Sequence, residues 1–193
     1  MLTVPGDIIT PRLILRLLGP AATQACLAHD PATAGQLLGV PVSPALLDTP
    51  SALEHDLRQL QQEAAYAPWA SRAIILKAEM KMIGLIRFHS RPSSPADKFY
   101  RENAAEMGYE IYADYQRRGY AREAITSIMH WALETSGVHR FLASVAPENI
   151  ASLSLVQGLG FMKVDEVMDE TDGLEYVFLL DTNGNTGAGY PSY

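Results

Sequence analysis

The stretch from Ala105 to Gly137 constrains this chain more than any other. Ala105 to Tyr112 reads as a strand, rich in aromatic and β-branched residues. Ala113-Asp114-Tyr115 follows, then the basic loop Gln116-Arg117-Arg118-Gly119-Tyr120-Ala121. From Ala121 to Ser136, Ile125, Ile128, Met129, Ala132 and Leu133 recur at helical spacing, and Gly137 is a natural stop. A helix that opens directly out of a strand-ending loop presents unpaired N–H groups and a partial positive charge there. Gly119 lets the backbone come close to a ligand, and Arg117 and Arg118 add charge, so the loop has the chemistry of a phosphate site. Spacing alone is equally consistent with a simple turn. The loop lacks the Gly-Lys-Ser/Thr of a P-loop and the three glycines of a Rossmann turn, which argues against nucleotide hydrolysis and dinucleotide binding.

The rest of the chain supplies an α/β context. Ile8 to Leu18 reads as a strand opened by Thr10-Pro11. Pro20 to His29 has a short helical pattern. Asp30 to Pro50, with four prolines and two glycines, reads as a broken connection. Thr49 is a candidate N-cap, with Pro50 at the first position of a helix carried by Leu53, Leu57, Leu60 and Ala64. Ser71 to Lys77 and Met82 to His89 form a hairpin. Ser90 to Asn103 is a long polar loop, of a length that is often functional or disordered. Arg140 to Ala146 is a strand, and Asn149 caps a short helix through Gln157. Leu159-Gly160-Phe161 turns into a strand from Met162 to Asp169. Thr171-Asp172-Gly173 leads into the last strand, Leu174 to Asp181. The order predicts a mixed α/β sheet with helices on both faces, in one domain from residue 8 to 181. Residues 182–193 form a Gly/Asn-rich tail, expected to be flexible.

Composition bounds the function. A net charge of −7 argues against broad nucleic-acid binding and fits cationic substrates. No apolar run is long enough to span a bilayer, and Met1 to Asp7 lacks the features of a signal peptide, so no membrane association is expected. Cys26 is the single cysteine, which excludes a disulfide framework and fits a cytoplasmic setting. Its helix face makes it a core residue. His29, His55, His89, His130 and His139 are scattered without metal-ligand spacing, so no metal is expected.

Taken together, Gln116-x-x-Gly119-x-Ala121 after a strand, Asn149-x-x-Ser152 one helix and one strand later, and Leu159-Gly160-Phe161 resemble the GNAT (acyl-CoA N-acyltransferase) superfamily. The opening Thr10-Pro11-Arg12-Leu13-Ile14-Leu15-Arg16 and the strand Ala105-Glu106-Met107-Gly108-Tyr109 look like its RimJ/RimL-type branch, which includes ribosomal-protein N-terminal acetyltransferases. The resemblance runs from about Ile8 to Leu180. It implies a mostly antiparallel sheet of about seven strands, splayed near Glu110. It implies acetyl-CoA as cosubstrate, wedged between the strand ending at Tyr112 and the strand ending at Val145. Backbone N–H groups of Gln116, Arg117, Arg118, Gly119, Tyr120 and Ala121 would hold the pyrophosphate. The strand end at Ile111, Tyr112 and Ala113 would pair with the pantetheine arm, and Asn149 would make a side-chain contact. Many relatives dimerise, so a homodimer is an expectation without interface residues.

The chemistry implied is attack of an amine on the thioester, which needs a base for the ammonium proton. Strand alternation puts Glu106 and Glu110 on one face, roughly 13 Å apart, with Tyr112 sharing that face. Relatives often use a glutamate on this strand, so Glu110 or Glu106 is the candidate base, against the alternative of a structural carboxylate. Many relatives carry a tyrosine where this chain has Val156, so the acid for the leaving thiolate is instead sought in Ser152, whose plainer role is to satisfy a helix terminus. The acceptor would enter past Asp30 to Ala65 and Ser90 to Asn103. Trp69, Phe99 and Tyr100 border those segments. A protein N-terminal α-amine is the family-based favourite, with a small amine or antibiotic, or a non-catalytic CoA-binding sensor module, as alternatives.

Overall fold

Among the described residues the chain forms eight strands and six α-helices. The computed structural model describes residues 4, 6–48, 50–93, 95–169 and 173–184. The candidate cap Thr49, the turn residues Thr171 and Asp172, and the tail from residue 185 lie outside the described residues. The chain divides into two compact units: the first runs to Ser90 and includes Tyr109–Ile128, and the second holds Arg91–Gly108 and the chain from Met129 onward.

In the first unit, β1 (Ile8–Ile9), β2 (Leu13–Leu17), β3 (Arg72–Leu76) and β4 (Lys81–Phe88) form an antiparallel series. The single opening strand expected from Ile8 to Leu18 is thus two. Thr10 breaks it: its backbone N–H and its hydroxyl both engage the Leu13 carbonyl across a tight turn. β4 is followed by the C-terminal end of β5 (Ala104–Ile111), where the Tyr112 N–H donates to the Ile83 carbonyl at 2.9 Å. β3 is buried at every position, as in a strand covered on both faces.

The segment from Asp30 to Pro50 is not a mere connection. It carries α2 (Pro31–Leu38) and α3 (Pro44–Asp48), between α1 (Pro20–Leu27) and α4 (Ser51–Gln62). Pro31 and Pro44 stand at the first helical positions, where a missing N–H costs nothing. The Asp30 carboxylate caps α2 by accepting the Thr33 N–H at 3.0 Å, and Gly39 ends it at φ +76°. These helices pack Cys26, Leu38, Leu46 and Leu53 against Ile14, Ala73 and Ile75.

Below that core lies a buried polar knot. Asp56 of α4 is 1% exposed. It accepts the Tyr66 hydroxyl at 2.8 Å and the Ser71 N–H at 2.8 Å, with Arg87 Nη1 at 3.4 Å. Burial, and then the Asp56 charge, push the Tyr66 phenol far above its usual range.

In the second unit, Ala104 to Glu106 of β5 run parallel to the start of β6 (Arg140–Val145), with Glu106 opposite Leu142. β6 pairs antiparallel with β8 (Gly173–Asp181), and β8 with β7 (Met162–Asp169). The strand order is therefore β5-β6-β8-β7. The register of β5 with β6 stops at Glu106, three residues into a strand of eight. The 90–103 loop is pinned within this unit: Lys98 Nζ and the Tyr100 hydroxyl both reach Asp165 Oδ2 at 2.5 Å. Arg140 Nη1 donates to the carbonyls of Phe99 and Glu102. α5 (Tyr120–Ser136) stops at Gly137, at φ +65°, and α6 (Ile150–Gly158) begins after Asn149. Thr182 begins a single 3₁₀ turn, with its N–H on the His139 carbonyl at 2.8 Å. Among the described residues no helix is long and apolar enough to cross a membrane.

Removal of this buried carboxylate takes the acceptor from the Ser71 N–H and leaves the Tyr66 hydroxyl and Arg87 only the carbonyls of Phe88 and Ala52. Asp56→Ala is expected to lower the unfolding free energy by about 3 kcal/mol. Urea denaturation measures this, and a loss below about 1 kcal/mol would show that the knot contributes little.

Candidate active site and cofactor loop

The loop after β5 is built within the first unit. Two of its residues lie in the left-handed region, Arg117 at φ +61° and Gly119 at φ +79°. Left-handed residues interleaved in a short loop curl the main chain so that successive N–H groups converge into an anion-binding concavity. For glycine the conformation is free, whereas for Arg117 it costs on the order of 1 kcal/mol, and such strain clusters at ligand sites. The first main-chain bond of α5 is Glu123 N–H to the Gly119 carbonyl at 3.1 Å. The N–H groups of Tyr120 and Ala121 precede that bond, at positions that have no intrahelical acceptor. The loop and the opening of α5 present consecutive donors at the positive end of a 17-residue helix.

Side chains fasten this backbone. Gln116 Nε2 donates to the Ile111 carbonyl at 2.8 Å, closing the loop onto the strand it leaves. Arg118 Nη2 donates to the Asp114 carbonyl at 2.9 Å. The Tyr115 ring lies between Lys81 and Arg118, at 5.5 and 5.7 Å, and its hydroxyl donates to Glu79. Arg117 is exposed and makes no contact with a described side chain, so its charge is free to meet an anion. These residues fit a pyrophosphate group through backbone donors, local positive charge and an open face.

The sequence reading missed what stands behind the loop. Glu123, 7% exposed in the first turn of α5, accepts the Thr10 hydroxyl at 2.5 Å, the Arg12 N–H at 2.8 Å and Arg12 Nε at 2.6 Å. Burial pushes this carboxyl up, but the three hydrogen bonds and the Arg12 charge outweigh it and hold the group below the usual range. Arg12 Nη1 also donates to the Arg118 carbonyl at 2.9 Å, and its guanidinium covers the Tyr120 ring at 4.6 Å. A Cβ on Gly119 would stand 3.4 Å from Arg12 Nη2, so the space next to this glycine belongs to Arg12. An acidic residue at a helix start is a legible signal; its partner more than a hundred residues away is not.

A second missed residue is Gly84. A Cβ there would lie 2.2 Å from the Glu110 carbonyl oxygen and 3.1 Å from the Ile111 Cα, so β4 and β5 approach where only glycine fits. A glycine inside a strand is the sequence sign of such an approach.

The two candidate bases have different surroundings. Glu110 is exposed and makes no hydrogen bond or ion pair with a described residue. Glu106 is engaged in the second unit: Arg101 Nη1 donates to Oε2 at 2.8 Å and the Ser144 hydroxyl to Oε1 at 2.6 Å. Tyr112, expected beside Glu110 on a regular strand, lies just past the end of β5 and is buried next to the equally buried Ile111, which breaks the alternation. Its hydroxyl has no hydrogen-bond partner among the described residues, and burial, followed by the charge of Glu110, drives its pKa well above the usual range. Ala113 begins a single 3₁₀ turn. In the second unit Asn149 caps α6 through Oδ1, which accepts the Ser152 N–H at 3.1 Å. The Ser152 hydroxyl bonds to no described residue, and Val156 is buried at 1% exposure.

Comparison with known proteins matches residues 12–162 to the Acetyltransferase (GNAT) domain. The chain belongs to the GNAT acetyltransferase family. With it comes the class expected from the sequence, the acetyl-CoA-dependent N-acetyltransferases. A match to the uncharacterized N-acetyltransferase YoaA of Bacillus subtilis is 31% identical and covers 80% of this chain and 81% of that protein. One to YnaD of the same organism is 31% identical but spans about half of each, 47% and 48%. The [ribosomal protein uS5]-alanine N-acetyltransferase of Escherichia coli is 34% identical over 32% of this chain and 31% of its own length. Among solved structures, the fold is shared with the ribosomal-protein-S5-alanine acetyltransferase of Vibrio fischeri. That match has TM-score 0.62 and 20% identity, over 92% of this chain and 97% of the other. The GNAT fold expected from the loop and its partner motifs is therefore present, with eight strands in place of about seven because the first is split.

Two outcomes follow for this site. Gly84→Val is expected to lower stability by about 2 kcal/mol, because the β4 and β5 backbones must separate; unfolding midpoints measure it, and an unchanged midpoint would contradict the close approach. Glu123, with its depressed folded pKa, stabilises fully above the ordinary carboxylate range, and that contribution fades as pH falls through the folded pKa. The stability gap between wild type and Glu123→Gln, measured by denaturation from pH 7 to pH 3, should therefore shrink towards the acid end. A gap independent of pH would show that the carboxylate charge is not what the pair uses.

Proposed function

We propose that this chain transfers the acetyl group of acetyl-CoA to a primary amine, with a protein N-terminal α-amine as acceptor. The observation that carries the cofactor half is the left-handed pair Arg117 and Gly119 at the open N-terminus of α5. The acceptor half is supported by the relatives named as acting on ribosomal protein uS5.

When bound, acetyl-CoA supplies a thioester whose acyl carbon accepts an amine. The loop N–H groups from Arg117 to Ala121 and the α5 dipole neutralise the pyrophosphate, and Arg117 adds a mobile charge. Orientation by the loop and the β5 end converts a bimolecular attack into one within a complex. The amine nitrogen forms the new bond to the acyl carbon, and the carbon–sulfur bond breaks with its electron pair going to sulfur. Glu110 takes the ammonium proton, directly or through one water, because its carboxylate is exposed and unengaged. Glu106 has a positioning role in the second unit, since both of its oxygens are already committed. The second proton that the nitrogen sheds as the amide forms passes to the departing thiolate sulfur, directly or through water, so no dedicated acid is required, and Ser152 acts chiefly in the first turn of α6.

Release of free thiol from acetyl-CoA, measured over a panel of N-terminal peptides and small amines, tests this reading. Turnover is expected with a peptide α-amine. Turnover on small amines alone would move the acceptor to that class, and cofactor binding without any turnover would favour a sensor module. On the accepted peptide, Glu110→Gln should reduce kcat by about 100-fold or more while leaving coenzyme A affinity within about two-fold. Ser152→Ala should retain most activity. Unchanged kcat in Glu110→Gln would remove Glu110 as the base.

A further inference from the structure

We propose that Arg12, on the turn between β1 and β2, is a positioning residue that sets the shape of the phosphate loop. The inference rests on the acetyl-CoA reading of that loop. Arg12 joins two elements that must keep a fixed relation for the loop to present its donors. Nε grips the Glu123 carboxylate in the first turn of α5, and Nη1 grips the Arg118 carbonyl between the two left-handed residues. The Arg12 backbone N–H and the Thr10 hydroxyl hold the same carboxylate, so the partner of the guanidinium is itself fixed to the turn. The ring of Tyr120 covers its face.

The Arg118 carbonyl is the chemical centre of the clamp. It lies in the peptide unit that also carries the Gly119 N–H. A donor on that oxygen fixes the plane of the unit and hence the direction of the N–H. Rotation of this peptide would point a carbonyl, not a donor, at an incoming phosphate. Arg12 therefore favours an anion without touching it. Gly119 completes the device, because its φ of +79° is one that a side chain makes strained, while Arg12 Nη2 lies in contact distance of where a Cβ would stand. Lysine cannot replace it: an ammonium is a single point, and this bridge needs two nitrogens of one rigid plane aimed at two acceptors.

Calorimetric titration with coenzyme A and with pantetheine, which lacks the phosphates, tests the proposal on wild type, Arg12→Ala and Arg12→Lys. Coenzyme A affinity should fall by about ten-fold or more in both variants. Pantetheine affinity should stay within about two-fold of wild type, which a general loss of structure would not allow. If Arg12→Ala does not fold, Arg12→Lys decides alone. Equal coenzyme A affinity in the variants, or restoration by lysine, would overturn the clamp and leave the acetyl-CoA reading standing. A matched loss for both ligands would reduce Arg12 to a structural residue and also overturn it. Failure of the wild type to bind coenzyme A would instead remove the acetyl-CoA reading, and the clamp with it.

Discussion

A buried carboxylate in the first turn of α5 is the constraint on which the candidate site depends. Glu123 loses water on burial, and it recovers that loss only if strong donors surround it. Thr10 and Arg12 are those donors, and they sit on the turn between β1 and β2. Satisfying one charge thus brings the beginning of the chain to the helix that follows β5. It also places a guanidinium against the loop that must curl into a left-handed shape. The helix dipole assists, since an acid is favourable at a helix N-terminus. In the proposed function stability and cofactor binding are coupled, because the same contacts serve both.

The chemistry of the two glutamates shows how context divides like residues. Glu106 and Glu110 stand four positions apart on one strand, and alternation gives them one face. Glu106 meets an arginine and a serine and becomes a fastening. Glu110 meets none and keeps its capacity to take a proton. Its backbone is meanwhile held by the glycine-sized approach of β4, so the carboxylate hangs from a fixed main chain. A base on a rigid strand is better placed than one on a loop.

The sequence made the local features of this site legible. A strand, a basic loop, Gly119 and a helix period from Ala121 are all written within about thirty residues, and Asn149 is a cap by type and by position. Gly137 ends α5 as a stop should. Failures occurred where one residue type supports opposite readings. Pro31 and Pro44 read as breakers, yet each begins a helix, and Asp30 beside Pro31 was the overlooked capping signal. Ile8 to Leu18 reads as one strand because its apolar pattern runs through the break at Thr10. Other features depend on distant partners and cannot be read locally: the hold of Arg12 on Glu123, the engagement of Glu106, and the burial of Tyr112 beside Ile111. The left-handed φ of Arg117 belongs with them, since nothing in an arginine announces it.

In the proposed function the N–H groups opening α5 bind the pyrophosphate of the cofactor. Residue-resolved amide hydrogen exchange of the wild-type protein, with and without saturating coenzyme A, reads those groups directly. The account predicts that exchange slows most at Arg117 through Arg122, the loop and first turn. Coenzyme A binding accompanied by unchanged exchange there, with protection confined to other segments, would contradict it.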